Sequence, residues 1–180
     1  MPFNFSKLSV LVVEDTEPMR KLIVSILDSI DVGTIHQAKS GEEGFRKFCE
    51  HNPDIVISDW DMDPGDGLVM TRKIRKDVLS PNRLAPIIFL TGYNAVKRVA
   101  QARDAGATEY IIKPFTGSDL AKRIAYVINK PRDYIDADVY FGPDRRRRDN
   151  PDYKGPRRRV DDSSALSGDD GFMIDLGNKK

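Results

Sequence analysis

Eight residues near the start of the chain decide its fold: Leu8-Ser9-Val10-Leu11-Val12-Val13-Glu14-Asp15. The first six are mostly apolar and β-branched, which is typical of a strand buried on both faces of a sheet. That run ends abruptly at two adjacent carboxylates. Pro18 then opens a segment, Met19 to Ile30, in which apolar residues recur at helical spacing. The pattern predicts a buried strand, an acidic turn and a helix.

The same alternation recurs through the first two thirds of the chain. It predicts further strands at 34–37, 54–58, 86–90 and 109–112, and further helices at 41–50, 67–76, 94–105 and 117–129. Strands that are separated by helical crossovers pair in parallel, with right-handed connections. The predicted fold class is therefore α/β, a doubly wound five-stranded parallel sheet in a domain that spans 6–129.

Four of the predicted strands end in polar side chains. Glu14 and Asp15 follow the first strand, and Asp59, Thr91 and Lys113 follow three later ones. Ligands of such folds bind outside the carboxyl ends of the strands, where these side chains should converge. Any one of them alone would more often be a solvated loop start, but the whole set favours a site.

The predicted site has a specific chemistry. Three carboxylates at close range repel one another, and a hard cation such as Mg²⁺ relieves the repulsion. Asp15 and Asp59 are natural direct ligands, and Glu14 can bind directly or through water. A carboxylate beside Mg²⁺ and the ammonium group of Lys113 is suited to attack a phosphoryl group. Thr91 can donate a hydrogen bond to a phosphoryl oxygen.

Residues 8–129 resemble the CheY-type receiver family of two-component signalling, whose fold is a flavodoxin-like α/β sandwich. The matching motifs are Val12-Val13-Glu14-Asp15, Ile57-Ser58-Asp59-Trp60, Asp66-Gly67, Leu90-Thr91, Gly106-Ala107 and Lys113-Pro114-Phe115. The resemblance implies a phosphorylatable response regulator. Taken together, the motifs are highly specific.

The resemblance also implies individual roles around the metal. Asp59 would accept a phosphoryl group from a histidine kinase, and Glu14, Asp15 and Asp59 would hold Mg²⁺ together with the backbone carbonyl of Asp61. The chain departs from the family pattern here, because Asp61 adds a carboxylate and Met62-Asp63-Pro64 replaces the usual Met-Pro. A more acidic rim is expected to tighten Mg²⁺ binding and to alter the lifetime of the phosphoryl group.

Other implied roles concern the signal. Thr91 and Lys113 would assist the phosphoryl chemistry, Tyr110 would be the aromatic switch that reorients on phosphorylation, and the Lys113–Pro114 bond would be cis. No helix-turn-helix pattern follows Asn129. We therefore do not expect transcription-factor action, and the output should come from the receiver surface, the tail or both. We expect a signalling protein and not an enzyme.

Bulk properties bound the location. The net charge is +1 and Cys49 is the one cysteine, so no internal disulfide is possible and a cytoplasmic location fits. No apolar run approaches the roughly 18 residues that a membrane span needs, and no export signal is apparent.

Beyond Asn129 the apolar periodicity stops. We predict a linker at 130–139, a duplicated arginine-rich segment at 140–162, and a flexible acidic-apolar C-terminus at 163–180, in a tail that is largely disordered. The duplication aligns Tyr140-Phe141-Gly142-Pro143 with Tyr153-Lys154-Gly155-Pro156, each followed by arginines and aspartate. The register of the second copy is ambiguous, because Arg158 and Arg159 both have an aspartate three residues further on.

The duplicated segment suits a ligand with two guanines and two phosphates. Guanidinium groups can fork onto a guanine edge, stack on its face or pair with phosphate, a carboxylate can accept from the opposite edge, and tyrosines can stack. The Arg-x-x-Asp spacing resembles the inhibitory site of diguanylate cyclases, and receiver plus tail resemble the CheY-like cyclic di-GMP effectors called Cle proteins. The resemblance implies cyclic di-GMP as ligand, recruitment to the flagellar motor or cell pole, and a motor-switch or similar protein as target. The predicted ligand-binding residues are Tyr140, Arg145, Arg146, Arg147, Arg148, Asp149, Tyr153, Arg157, Arg158, Arg159, Asp161 and Asp162.

Other interpretations of the tail stay open. It could be a solvated charge run, or it could bind nucleic acid, an acidic protein surface or an anionic membrane. In the main alternative the protein is a phosphorelay shuttle and the tail is a protein-docking or nucleic-acid-binding arm. Non-specific polyanion binding does not need aspartates at a fixed spacing, so we expect no DNA partner.

Overall fold

The computed structural model describes residues 4–62, 67–92, 101–137 and 140–144, and structural statements below concern these residues. It confirms the predicted alternation of strands and helices. The elements are β1 (Ser9–Val13), α1 (Glu17–Ser29), β2 (Thr34–Ala38), α2 (Gly41–His51), β3 (Ile55–Asp59), α3 (Gly67–Lys76), β4 (Ile87–Thr91), α4 (described over 101–105), β5 (Glu109–Ile112) and α5 (Gly117–Asn129).

The five strands form one parallel sheet in the order β2-β1-β3-β4-β5, which confirms the predicted fold class. Alternate residues of each strand face opposite sides of the sheet. In β1, Leu11 and Val13 join one apolar cluster, whereas Val10 and Val12 join the other. Burial on both faces explains why the strand sequences are continuously apolar.

Local signals fix where the helices begin. Pro18 lies in the first turn of α1. Ser40 caps α2, since its side chain accepts a hydrogen bond from the Glu43 amide. Thr116 and Asp119 form a reciprocal capping box at the start of α5. In the described part of the chain, no helix is both long and apolar enough to traverse a membrane.

An antiparallel hairpin follows α5, where the sequence predicted only a linker and the start of the arginine-rich segment. Its strands are β6 (Tyr134–Ala137) and β7 (Tyr140–Pro143). Tyr134 Oη donates to the Leu84 carbonyl at 2.6 Å, which ties β6 to the loop before β4. The first compact unit of the chain accordingly extends to Asp144 and not to Asn129. Aromatic and backbone contacts, which leave no apolar periodicity in the sequence, hold the hairpin.

Of the predicted ligand-binding residues, Tyr140 lies in β7 and the others lie outside the described part of the chain. They are Arg145, Arg146, Arg147, Arg148, Asp149, Tyr153, Arg157, Arg158, Arg159, Asp161 and Asp162.

Candidate functional site

Three carboxylates meet at the carboxyl ends of β1 and β3. One oxygen each from Glu14, Asp15 and Asp59 lies within 4.8 Å of the others. Glu14 is only 1% exposed and Asp59 is 9% exposed, whereas Asp15 is half-buried. The convergence predicted from the strand ends is therefore present, and a donor set of hard carboxylate oxygens suits Mg²⁺.

A single ammonium group bridges two of these acids. Lys113 Nζ lies 3.0 Å from Asp59 Oδ1 and 3.1 Å from Glu14 Oε2. Lys113 directly follows β5, which pairs with β4, and β4 pairs with β3. The sheet thus brings a lysine from one strand end between two acids from other strands. The Lys113–Pro114 bond is cis, as predicted.

The electrostatics of the cluster leave a negative excess. Burial raises the pKa of Asp59, and Lys113 only partly offsets it. Burial and the charge of Asp59 raise the pKa of Glu14. Burial lowers the pKa of Lys113, but its hydrogen bonds and charge interactions with Asp59 and Glu14 outweigh this and raise it overall. A bound cation would relieve the remaining repulsion.

Asp59 is held so that its two oxygens differ. Oδ1 faces Lys113 and accepts a hydrogen bond from the Trp60 amide at 2.8 Å. Among the hydrogen bonds between described residues, none reaches Oδ2. Gly67 packs against the Asp59 backbone so closely that a Cβ there would lie 2.4 Å from the Asp59 carbonyl oxygen. The arrangement fixes the carboxylate by one oxygen and leaves the other for an incoming electrophile.

The other predicted residues lie around this centre. Thr91 is buried at the end of β4, the strand next to β3. Tyr110 is half-buried in β5 and packs against one of the two apolar clusters. The side chain of Asp61 is exposed, just beyond β3. The role of the Asp61 carbonyl in binding metal, and that of Tyr110 as a switch, stay predictions.

Sequence analysis missed one contributor to the site. Arg20 Nη1 donates to the Glu14 carbonyl at 2.7 Å and lies 3.3 Å from the Asp15 carbonyl oxygen. It therefore fixes the backbone that carries two of the three acids. The one signal available was a basic residue one turn into the helix after the acidic pair.

Tyr140 occupies an unexpected position. The sequence predicted a stacking surface for a ligand, but this side chain is 7% exposed and is built into the hairpin. Its hydroxyl donates to the Pro143 carbonyl at 2.7 Å and lies 3.3 Å from the Arg103 carbonyl oxygen. Its role in binding a ligand stays a prediction.

Comparison with known proteins places this site in a family. Residues 10–125 match the response regulator receiver domain model. The chain is 34% identical over 123 residues to the response regulator protein VraR of Staphylococcus saprophyticus, covering 68% of this chain and 57% of that protein. It is 33% identical over 124 residues to the transcriptional regulatory protein PdtaR of Mycobacterium tuberculosis, covering 69% and 58%.

A solved structure shows the same fold. The chemotaxis response regulator CheY4 of Vibrio cholerae superposes with a TM-score of 0.62 at 25% identity, covering 67% of this chain and 98% of that one. The present chain spans little more than half the length of the two curated relatives above. The matched region includes the three acids, Thr91 and Lys113. The chain therefore belongs to the response regulator receiver family, whose members are phosphorylated on an aspartate in two-component signalling.

Proposed function

We propose that this protein is a response regulator which accepts a phosphoryl group on Asp59 from a histidine kinase, and whose arginine-rich tail binds cyclic di-GMP. The position of Lys113 Nζ between Asp59 and Glu14 carries the first part of the proposal. The duplicated arginine and aspartate pattern over 140–162 supports the second part. In this proposal the protein is a signalling adaptor and not an enzyme.

The roles of the site residues follow from their positions. Asp59 Oδ2 attacks the phosphorus of a phosphohistidine, and the phosphorus–nitrogen bond breaks as the new phosphorus–oxygen bond forms. Lys113 faces Oδ1 and neutralises charge on the transferred group, while Thr91 offers a hydroxyl donor. Receiver domains bind Mg²⁺ at an acidic pocket, and Glu14, Asp15 and Asp59 would hold it here. A bound ion would supply positive charge at the phosphoryl oxygens.

The tail provides a second input. Two copies of a segment with tyrosine, arginines and aspartate match a ligand with two guanine bases and two phosphates. The complex would present a new surface to a protein target such as the flagellar motor switch, with recruitment to the motor or the cell pole. In the alternative function, a phosphorelay shuttle, the tail serves only as a docking arm for a protein or nucleic acid.

Phosphotransfer tests the receiver part. The wild-type protein should take up label from a phosphorylated kinase or a small phosphodonor in the presence of Mg²⁺, and Asp59→Asn should not. Lack of label in the wild type under conditions where another receiver responds contradicts this part of the proposal.

Calorimetry of the full chain tests the tail part. Cyclic di-GMP should bind, and replacing Arg146 and Asp149 together should weaken binding strongly. Arg46→Ala is a control, because Arg46 is an exposed α2 residue whose ion pairs among the described residues are with acids of its own helix. Equal binding of unrelated polyphosphates, with a steep salt dependence, would support the docking-arm alternative.

A further inference from the structure

The first copy of the duplicated tail motif is built into the receiver. Tyr140 to Pro143 forms β7, whose tyrosine ring is buried and whose hydroxyl lies between the carbonyls of Arg103 and Pro143. Arg103 belongs to the described part of α4, so this contact joins the motif to a receiver helix. Stacking on a base requires an accessible ring face. In this arrangement Tyr140 has none to offer.

Gly142 of the motif also packs closely against the receiver. A Cβ on Gly142 would lie 2.9 Å from Gly106 Cα and 2.6 Å from Tyr140 Oη. Gly106 itself has a φ of 97°, a conformation that glycine adopts without strain. Tyrosine and glycine are two of the residues that the second copy repeats as Tyr153 and Gly155. The same residues thus serve receiver docking in copy one and, in the proposed function, ligand binding.

Two arginines of the receiver hold the hairpin from outside the motif. The Arg83 guanidinium carbon lies 3.8 Å from the centre of the Phe141 ring, and Arg83 Nε donates to the Arg75 carbonyl. The Arg75 guanidinium carbon lies 5.4 Å from the centre of the Tyr134 ring. These contacts favour the docked hairpin through cation–π attraction.

The docked state also carries a cost. Arg75 is fully buried, its Nε and Nη1 donate to the carbonyls of Gly106 and Arg83, and within the described residues its Nη2 has no hydrogen-bond partner. A buried donor without a partner destabilises the arrangement that buries it. The Tyr134 ring of the hairpin lies over this guanidinium, so release of the hairpin would remove that cover. The docked hairpin is therefore held by specific contacts and opposed by a specific defect.

We infer that the receiver withholds the first half of the cyclic di-GMP module, and that the ligand must draw β7 out of its docked position to engage Tyr140. This inference rests on the proposed ligand. A protein that binds only in its released state shows an affinity reduced by the released fraction. Weakening the docking contacts without touching the ligand module should therefore increase the apparent affinity.

Titration of the full chain with cyclic di-GMP tests this with Arg83→Ala. The variant removes the guanidinium from Phe141 and should bind about two- to tenfold more tightly than the matched control Arg46→Ala, which loses the same charge from an α2 side chain that pairs with acids of its own helix. A charge effect alone would weaken both variants. An affinity of Arg83→Ala equal to or below that of Arg46→Ala counts against withholding.

Two substitutions at Tyr140 provide a second measurement. Tyr140→Phe keeps the ring but loses the docking hydroxyl, so binding should tighten. Tyr140→Ala loses the ring that the ligand needs, so binding should weaken. The inference requires both Arg83→Ala and Tyr140→Phe to bind more tightly than their references, Arg46→Ala and the wild type, and if either does not, the inference is wrong. If the wild type and every variant ignore cyclic di-GMP, the proposed ligand itself fails, which is a separate outcome.

Discussion

Removing the ammonium group of Lys113 should destabilise the protein in a strongly pH-dependent way. In Lys113→Met the aliphatic stem is kept, while Asp59 and Glu14 lose the charge that lies 3.0 and 3.1 Å from them. At an effective dielectric constant of about 20, each of these attractions is worth roughly 5 kcal/mol before desolvation is subtracted. The loss does not reach that sum, because one carboxyl group can escape by taking up a proton.

The free energy needed to protonate one carboxyl group therefore limits how much stability Lys113→Met can lose. For a glutamate with an ordinary pKa of about 4.3, protonation costs about 4 kcal/mol near pH 7 and about 1 kcal/mol near pH 5. The variant no longer has the desolvation cost of burying the Lys113 charge, and this reduces the loss of stability at both pH values. We expect Lys113→Met to lower the free energy of unfolding by about 2–3 kcal/mol near pH 7 and by less than about 1 kcal/mol near pH 5.

Urea denaturation without divalent cations measures both values. The double variant Lys113→Met, Asp59→Asn should recover most of the stability near pH 7. In it Glu14 and Asp15 are the acids that remain in the cluster, so less repulsion is left without the lysine. An equal loss at both pH values would falsify the electrostatic argument, as would a failure of Asp59→Asn to restore stability. Either result would mean that Lys113 acts through packing.

Three other outcomes are expected. The pKa values of Asp59 and Glu14 are raised, so the folded state takes up protons at a higher pH than the unfolded state does. Without metal, the contribution of these two groups to stability therefore falls as the pH rises through the raised pKa values. Asp59→Asn should make the free energy of unfolding, measured by denaturation, depend less steeply on pH. Gly67→Ala should destabilise by about 1–3 kcal/mol and slow phosphoryl uptake, since its Cβ would meet the Asp59 carbonyl oxygen at 2.4 Å; normal uptake and stability would contradict this. Tyr134→Phe should cost about 1 kcal/mol in unfolding free energy through loss of the 2.6 Å hydrogen bond to the Leu84 carbonyl, and no loss would mean that this hydrogen bond adds nothing to the stability of the fold.

The parallel sheet and the acidic site could be predicted because both follow from short-range patterns. A continuous apolar run that ends in Asp59 or Lys113 specifies a buried strand and also where its polar end must lie. The bridging position of Lys113 depends on sheet order, which the sequence restricts but does not state. Arg20 was missed because it contacts backbone carbonyls, which are present in any sequence, and a single basic residue in the first turns of a helix is a weak signal.

The hairpin was missed for a different reason. Its strands have four residues each, and aromatic side chains and close glycine contacts hold it to the receiver, not an apolar face of its own. Composition alone therefore places 134–143 with the polar tail. The partners that stabilise it, such as Leu84 and Gly106, are remote in the chain and invisible to any local pattern.

The buried guanidinium of Arg75 has a practical consequence for anyone who shortens this protein. A truncation at Asn129 looks safe from the sequence, since every strand of the parallel sheet is retained. It would nevertheless remove the Tyr134 ring that lies over the Arg75 guanidinium. This would expose a cationic and partly apolar surface beside Leu84, which is already 52% exposed. Such a fragment should aggregate more readily and be less soluble than a fragment that ends after Asp144. Binding data obtained with it would describe a surface that the hairpin covers in the longer chain.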